Sequence, residues 1–184
     1  DEQAVELVDR LSPVFKIASA DITHFPLLKA IAKKGKQIFL STGAAKLEEI
    51  KEAVEVIKSE GNNQIILLHC VLNYPTEYQN AGLERIKYLK EQFPDYLIGY
   101  SDHTFPDKAM AVLTIAACLG AKVLEKHFTL DKKIFGNDHF HSMDKNDSKL
   151  LMRNLELYQK VLGDGKGNNF RKESDAVEQA RRSI

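Results

Sequence analysis

Apolar positions along the chain alternate between two periods. "AVELVDRL" (Ala4 to Leu11) has helical spacing and is stopped by Pro13. "VFKIAS", "QIFLST", "QIILLHC", "YLIGYS" and "KVLEKHF" are short, rich in β-branched and aromatic residues, and read as strands. Between them lie helical patterns. "FPLLKAIAKKG" ends at Gly35, and "KLEEIKEAVEVIKSEG" places Leu47, Ile50, Val54 and Ile57 on one face before Gly61. A third helix falls around Leu83 to Phe93 and a fourth over "DKAMAVLTIAACLG". After the last strand an irregular stretch runs to about Asp144, followed by the helix "DSKLLMRNLELYQKVLG".

Strands separated by helices are parallel, because a hairpin cannot accommodate the insertion. The continuous apolar strands agree, since parallel strands are covered on both faces. Two α/β architectures remain: an open doubly wound sheet, or part of a (β/α)8 TIM barrel. Each strand finishes on polar, reactive groups, as barrel strands do at their C-terminal ends. The prediction is a partial TIM barrel of five parallel βα units, the last five of eight, with a C-terminal helix. Residues 1–163 form this catalytic unit and residues 164–184, charged and Gly/Asn-rich, a linker. "VFKIAS" and "KVLEKHF" become the two sheet edges.

Composition narrows the function. Lys and Arg total 26, balancing 26 Asp and Glu, so no nucleic-acid partner or anionic membrane surface is indicated. No apolar run reaches the length of a membrane span. Cys70 and Cys118 lie in apolar surroundings and read as reduced core thiols of a cytoplasmic protein. There is no Gly-rich phosphate loop and no GxGxxG.

"GYSDHT" and "EKHFTL" end adjacent strands on His103 and His127. Strands lie roughly 4.8 Å apart, so the two imidazoles are placed to share one catalytic divalent ion. Asp102 or Glu125 is placed to orient them. Lys16 within a strand needs an anion partner, and Ser19, Ser41 and Ser101 converge on the same mouth, which suits a phosphate or carboxylate ligand. Asp21, Tyr74 and Asp138, the last in "GNDHFHSMD", supply groups suited to sugar hydroxyls. His139 and His141 form a weaker alternative metal pair, while His24 and His69 read as structural.

"KIASAD", "FLSTG", "LLHCVLNYPT", "GYSDHT", "EKHFTLD" and "GNDHFHSMD", in this order, resemble the N-acetylneuraminate (sialic acid) synthase family. The resemblance implies a (β/α)8 barrel followed by a small antifreeze-like domain, absent here, and a domain-swapped homodimer of the full-length protein. The implied activity is a transferase reaction forming a C–C bond: phosphoenolpyruvate condenses with N-acetylmannosamine or a related hexose to a nine-carbon 2-keto acid. The implied metal is Mn²⁺, with Mg²⁺ or Co²⁺ as alternatives, held by His103 and His127. Lys16, Ser19, Ser41 and Ser101 match phosphoenolpyruvate contacts, Tyr74 and Asp138 match sugar contacts, and Asp21 matches the acidic residue at the reacting centre. A further phosphoenolpyruvate-contacting Asn falls on Leu72. Sister activities making legionaminic or pseudaminic acid share these motifs, and a non-catalytic barrel remnant binding metal and an acidic sugar is the reading from another class. Five strands alone leave the barrel open, so the expectation for the isolated chain is no turnover.

Overall fold

The computed structural model describes residues 2–163; the linker expected over 164–184 lies outside them. Helix α1 (Glu2–Leu11) leads into β1 (Val14–Ile17), α2 (Phe25–Ala32), β2 (Gln37–Ser41), α3 (Leu47–Ser59) and β3 (Ile65–His69). Then follow α4 (Arg85–Gln92), β4 (Leu97–Asp102), α5 (Ala111–Cys118), β5 (Leu124–Lys126) and α6 (Lys145–Leu162). All neighbouring strands pair in parallel, in the order β1-β2-β3-β4-β5. The two strands expected at the edges are the edges.

Strand alternation sorts the side chains into two faces. Phe15, Ile17, Ile38, Leu40, Leu67, Ile98 and Tyr100 are buried against Leu28, Ile50, Ile57, Ile86, Leu89 and Leu113 from the helices. The opposite parity runs in register through Lys16, Phe39 and Ile66, through Ser41, Leu68 and Gly99, and from Ser101 to Glu125. That second face is concave. A flat sheet would hold β1 and β5 about 19 Å apart, four spacings of roughly 4.8 Å. Instead Lys16 Nζ of β1 lies 3.4 Å from Glu125 Oε2 of β5, a contact only a curled sheet permits. The five strands form a half-barrel.

Gly99 makes this curvature tight. A Cβ there would sit 2.5 Å from Leu68 Cδ2 and 2.6 Å from the Val123 carbonyl oxygen, so only glycine fits where β4 crosses its neighbours. The long helix α6 starts on a capping box. Asp144 accepts from Asn146 N (2.7 Å) and Asp147 N (3.0 Å), and the Asp147 carboxylate accepts from Asp144 N (2.9 Å).

Two expectations need correction. Helix α5 begins at Ala111 rather than Asp107, because Asp107 accepts from the backbone N–H groups of Ala109 and Ala111 and Met110 takes φ 49°. The side chain caps the turn instead of continuing the helix. Cys118 is exposed while Cys70 is buried. The helix "AVLTIAAC" is apolar except for Thr114, so its sequence does not reveal which face packs; Leu113, Ala116 and Ala117 are buried, whereas Ile115 and Cys118 are not.

Candidate active site

The concave face opens at the C-terminal ends of the strands into a cavity of about 290 Å³. Lys16, Ser19, Ser41, Tyr74, Ser101, His103 and His127 all line it, together with Cys70, Leu72 and Glu125. These residues come from five strands or the loops after them, and most of the strand residues among them share one parity. Lys16, Ser41, Ser101 and Glu125 share the inward face, and His103 and His127 each follow two residues after an inward position.

His103 is held by its backbone surroundings. Its Nδ1 lies 2.6 Å from the Val71 carbonyl. A carbonyl only accepts, so Nδ1 carries the proton and Nε2 presents a lone pair. Burial holds the His103 pKa below its usual value and keeps the ring neutral. The Tyr74 ring stacks at 4.1 Å between centroids, and the His127 ring lies 5.4 Å away. An ion about 2.1 Å from a ring nitrogen sits about 3.2 Å from the ring centre, which puts two ligand rings about 4.6 Å apart when cis and about 6.5 Å when trans. The His103–His127 separation falls inside that window.

The anion end is formed by Lys16 and the serines. Ser19, Ser41 and Ser101 are buried, and among the described residues Ser41 Oγ has no hydrogen-bond partner. A buried hydroxyl without a partner is an unspent donor facing the cavity. The Lys16–Glu125 pair spans 3.4 Å across the lumen, so the ammonium is extended into the cavity rather than turned to the rim.

Other residues depart from expectation. Asp102 does not orient the imidazoles. Its parity turns it to the helix-covered face, where it accepts from Lys126 Nζ (2.7 Å), Tyr100 Oη (3.0 Å), Thr104 N (2.9 Å) and Thr104 Oγ1 (3.1 Å). Burial and the facing carboxylate push the Tyr100 phenol far up, so it stays a donor. Asp21 ends the 3-10 turn Ser19–Asp21 and is not among the cavity-lining residues; the carboxylate the fold brings to the lumen is Glu125. Asp138 sits outside the lining but beside the histidines, with Oδ2 3.5 Å from His127 Nδ1 and Oδ1 3.9 Å from His141 Nε2. The proposed His139–His141 pair does not form. His139 Nδ1 is 2.8 Å from Thr129 Oγ1, whereas His141 is buried with its ring 5.2 Å from that of His127. His127, Asp138 and His141 each offer a ligand atom within 4.8 Å of the others, so the donor set suits a divalent ion. His24 caps α2 through Nδ1, which accepts from Leu27 N (3.1 Å), and His69 Nε2 bonds the Ala81 carbonyl (2.8 Å); both are structural as expected.

Residues 1–167 match the NeuB family. The chain belongs to that family. Among its NeuB relatives are an uncharacterized protein of Methanocaldococcus jannaschii, 44% identical over the whole chain and 54% of that protein, and the N,N'-diacetyllegionaminic acid synthase of Campylobacter jejuni, 40% identical over the whole chain and 55% of that protein. The chain thus spans about half the length of these curated relatives. The crystal structure of N-acetylneuraminic acid (sialic acid) synthetase from Leptospira borgpetersenii, in complex with citrate, superposes with a TM-score of 0.83 at 34% identity, over 100% of this chain and 64% of that one. Among the described residues, no helix of this NeuB chain is long and apolar enough to cross a membrane.

Proposed function

We propose that this chain is the last five of the eight βα units in the barrel of a cytoplasmic, homodimeric sialic acid synthase-type enzyme. The intact protein condenses phosphoenolpyruvate with N-acetylmannosamine or a related N-acetyl hexose, forming a nine-carbon 2-keto acid and releasing phosphate. The observation that carries this reading is the convergence of Lys16, Ser19, Ser41 and Ser101 with His103 and His127 on one 290 Å³ cavity.

Each residue has a role that its position supports. Lys16 and the three hydroxyls bind the phosphate and carboxylate of the enol ester, fixing its C3 towards the sugar; donors already in place need no reorganisation as charge moves. Glu125 keeps the Lys16 ammonium extended over the lumen. His103, with its proton fixed on Nδ1, presents Nε2, and His127 presents a second nitrogen, as ligands for a divalent ion, Mn²⁺ by preference over Mg²⁺ or Co²⁺. That ion, when bound, supplies Lewis-acid polarisation of the sugar aldehyde. Tyr74 covers the His103 ring and serves as a sugar contact, and Asp138, beside His127, serves as an acceptor for sugar hydroxyls. Asp21, close in sequence to Ser19, remains the proposed acidic residue at the edge of the reacting centre. Leu72 takes the place of an amide that the resemblance leads one to expect, leaving phosphate recognition to Lys16 and the serines.

The 40% identity to an N,N'-diacetyllegionaminic acid synthase favours a second reading within the same chemistry, in which the product is a legionaminic acid-type sugar. Phosphate release by the intact protein, assayed with phosphoenolpyruvate and a panel of N-acetyl hexosamines, tests both. The preferred sugar separates the synthases. Absence of metal-dependent phosphate release with every sugar refutes the enzyme reading in favour of a binding remnant.

A further inference from the structure

His141 is completely buried, and among the described residues neither of its ring nitrogens has a hydrogen-bond partner. A neutral imidazole carries one N–H and one lone pair, so the ring gives up two bonds to water on folding. Buried polar side chains nearly always recover such bonds. The surroundings do not supply them: the neighbouring rings are Phe140 at 4.9 Å, His127 at 5.2 Å and Tyr74 at 6.2 Å. The Asp138 carboxylate stops 3.9 Å from Nε2, beyond hydrogen-bond distance.

The spacing instead fits a cation. Donors around one ion at about 2.1 Å lie about 3.0 Å apart when cis and about 4.2 Å when trans. Asp138 Oδ2 stands 3.5 Å from His127 Nδ1 and its Oδ1 3.9 Å from His141 Nε2, both inside that range. The turn that carries them is tied to the segment after β5. Met143 N donates to the His127 carbonyl (2.9 Å), Thr129 N donates to the Met143 carbonyl (2.9 Å), and Ser142 Oγ donates to the Asp138 carbonyl (2.6 Å).

We propose that His141 is a third imidazole ligand of the divalent ion at this site, acting with His127 and Asp138. The inference rests on the metal-dependent reading above and extends it. A donor set of imidazoles plus one carboxylate favours a first-row transition ion over Mg²⁺. His127 belongs both to this triad and to the His103 pair.

The test is metal binding by the intact protein, read without turnover. After removal of metal, Co²⁺ affinity is measured by competition with a chromogenic chelator, and pulsed EPR of the Mn²⁺-loaded, ¹⁵N-histidine-labelled protein counts coordinated imidazoles. Removing a group that merely supports a ligand costs about 10–100-fold in affinity, so His141→Ala should weaken Co²⁺ by at least about 100-fold. One ¹⁵N coupling should disappear in His141→Ala and in His141→Asn, which retains polarity should the alanine variant not fold. His139→Ala, at a ring turned to Thr129, should bind as the wild type does. A wild-type spectrum with more than two imidazole couplings supports the proposal without any variant. Unchanged Co²⁺ affinity in the His141 variants, or only two couplings that vanish with His103→Ala and His127→Ala, overturns it and leaves the functional reading standing. Wild-type protein that binds neither ion overturns both.

Discussion

Lys126→Met is the substitution whose cost the structure defines best. The Lys126 and Asp102 side chains are 1% and 2% exposed and 2.7 Å apart. Lys126 Nζ also donates to the Thr104 carbonyl (2.6 Å). Methionine keeps the stem and volume but removes the cation, leaving a buried carboxylate held, among the described residues, by Tyr100 Oη and the N–H and O–H of Thr104. Breaking one half of a buried pair costs about 3–5 kcal/mol. The three neutral donors soften the loss, so about 3 kcal/mol is expected, a large share of a typical 5–15 kcal/mol stability. With urea slopes of about 1–3 kcal/mol per molar, the unfolding midpoint should fall by about 1–3 M. Adding Asp102→Asn removes the stranded charge while retaining an acceptor, so the double variant should recover about 2 kcal/mol of the single variant's loss. Urea unfolding of the intact protein across this cycle measures the coupling. A single-variant loss under about 1 kcal/mol, or additivity within about 0.5 kcal/mol, refutes the argument. The pair clips β4 to β5 one residue before His103 and His127, so Co²⁺ affinity should weaken alongside.

Three further outcomes are expected. Gly99→Ala should cost about 1–3 kcal/mol in urea unfolding, because its methyl meets the Val123 carbonyl, which already accepts from Tyr100 N at 2.8 Å and cannot withdraw; a neutral result would show that the half-barrel is less tightly curled. Burial holds the His69 pKa below 6.5, against its bond to Ala81. The unfolded chain therefore binds a proton that the folded one resists, and the stability contributed by the neutral ring is present above pH 6.5 and lost as pH falls below it. Urea midpoints of wild type should drop between about pH 7.5 and 5 more steeply than those of His69→Gln, and parallel curves would exclude His69 as the cause. Lys16→Met should raise the Michaelis constant for phosphoenolpyruvate far more than that for the sugar, since it removes charge and keeps the stem; equal effects on both would assign Lys16 a structural role.

Local pattern alone determined much of this protein. Apolar runs of β-branched residues and helices of 3.6-residue period establish five parallel βα units, and the polar residue after each strand marks the functional mouth. Those features are encoded within a few neighbouring residues, so a linear reading reaches them. Strand parity was also legible in principle: Ser101 and His103 share a face that Asp102 cannot, which is why Asp102 pairs with Lys126 behind the sheet. What remained hidden depends on curvature and loop path. Glu125 meets Lys16 only because the sheet curls enough to bring β1 and β5 together. His141 joins His127, and His139 turns away to Thr129, because one 3-10 turn between Gly136 and Ser142 rotates adjacent side chains in different directions. That Cys118 is exposed was hidden because a nearly all-apolar helix does not declare its packed face; only the sheet it lies against selects one. Such choices follow from contacts between segments far apart in the chain, and no local period carries them.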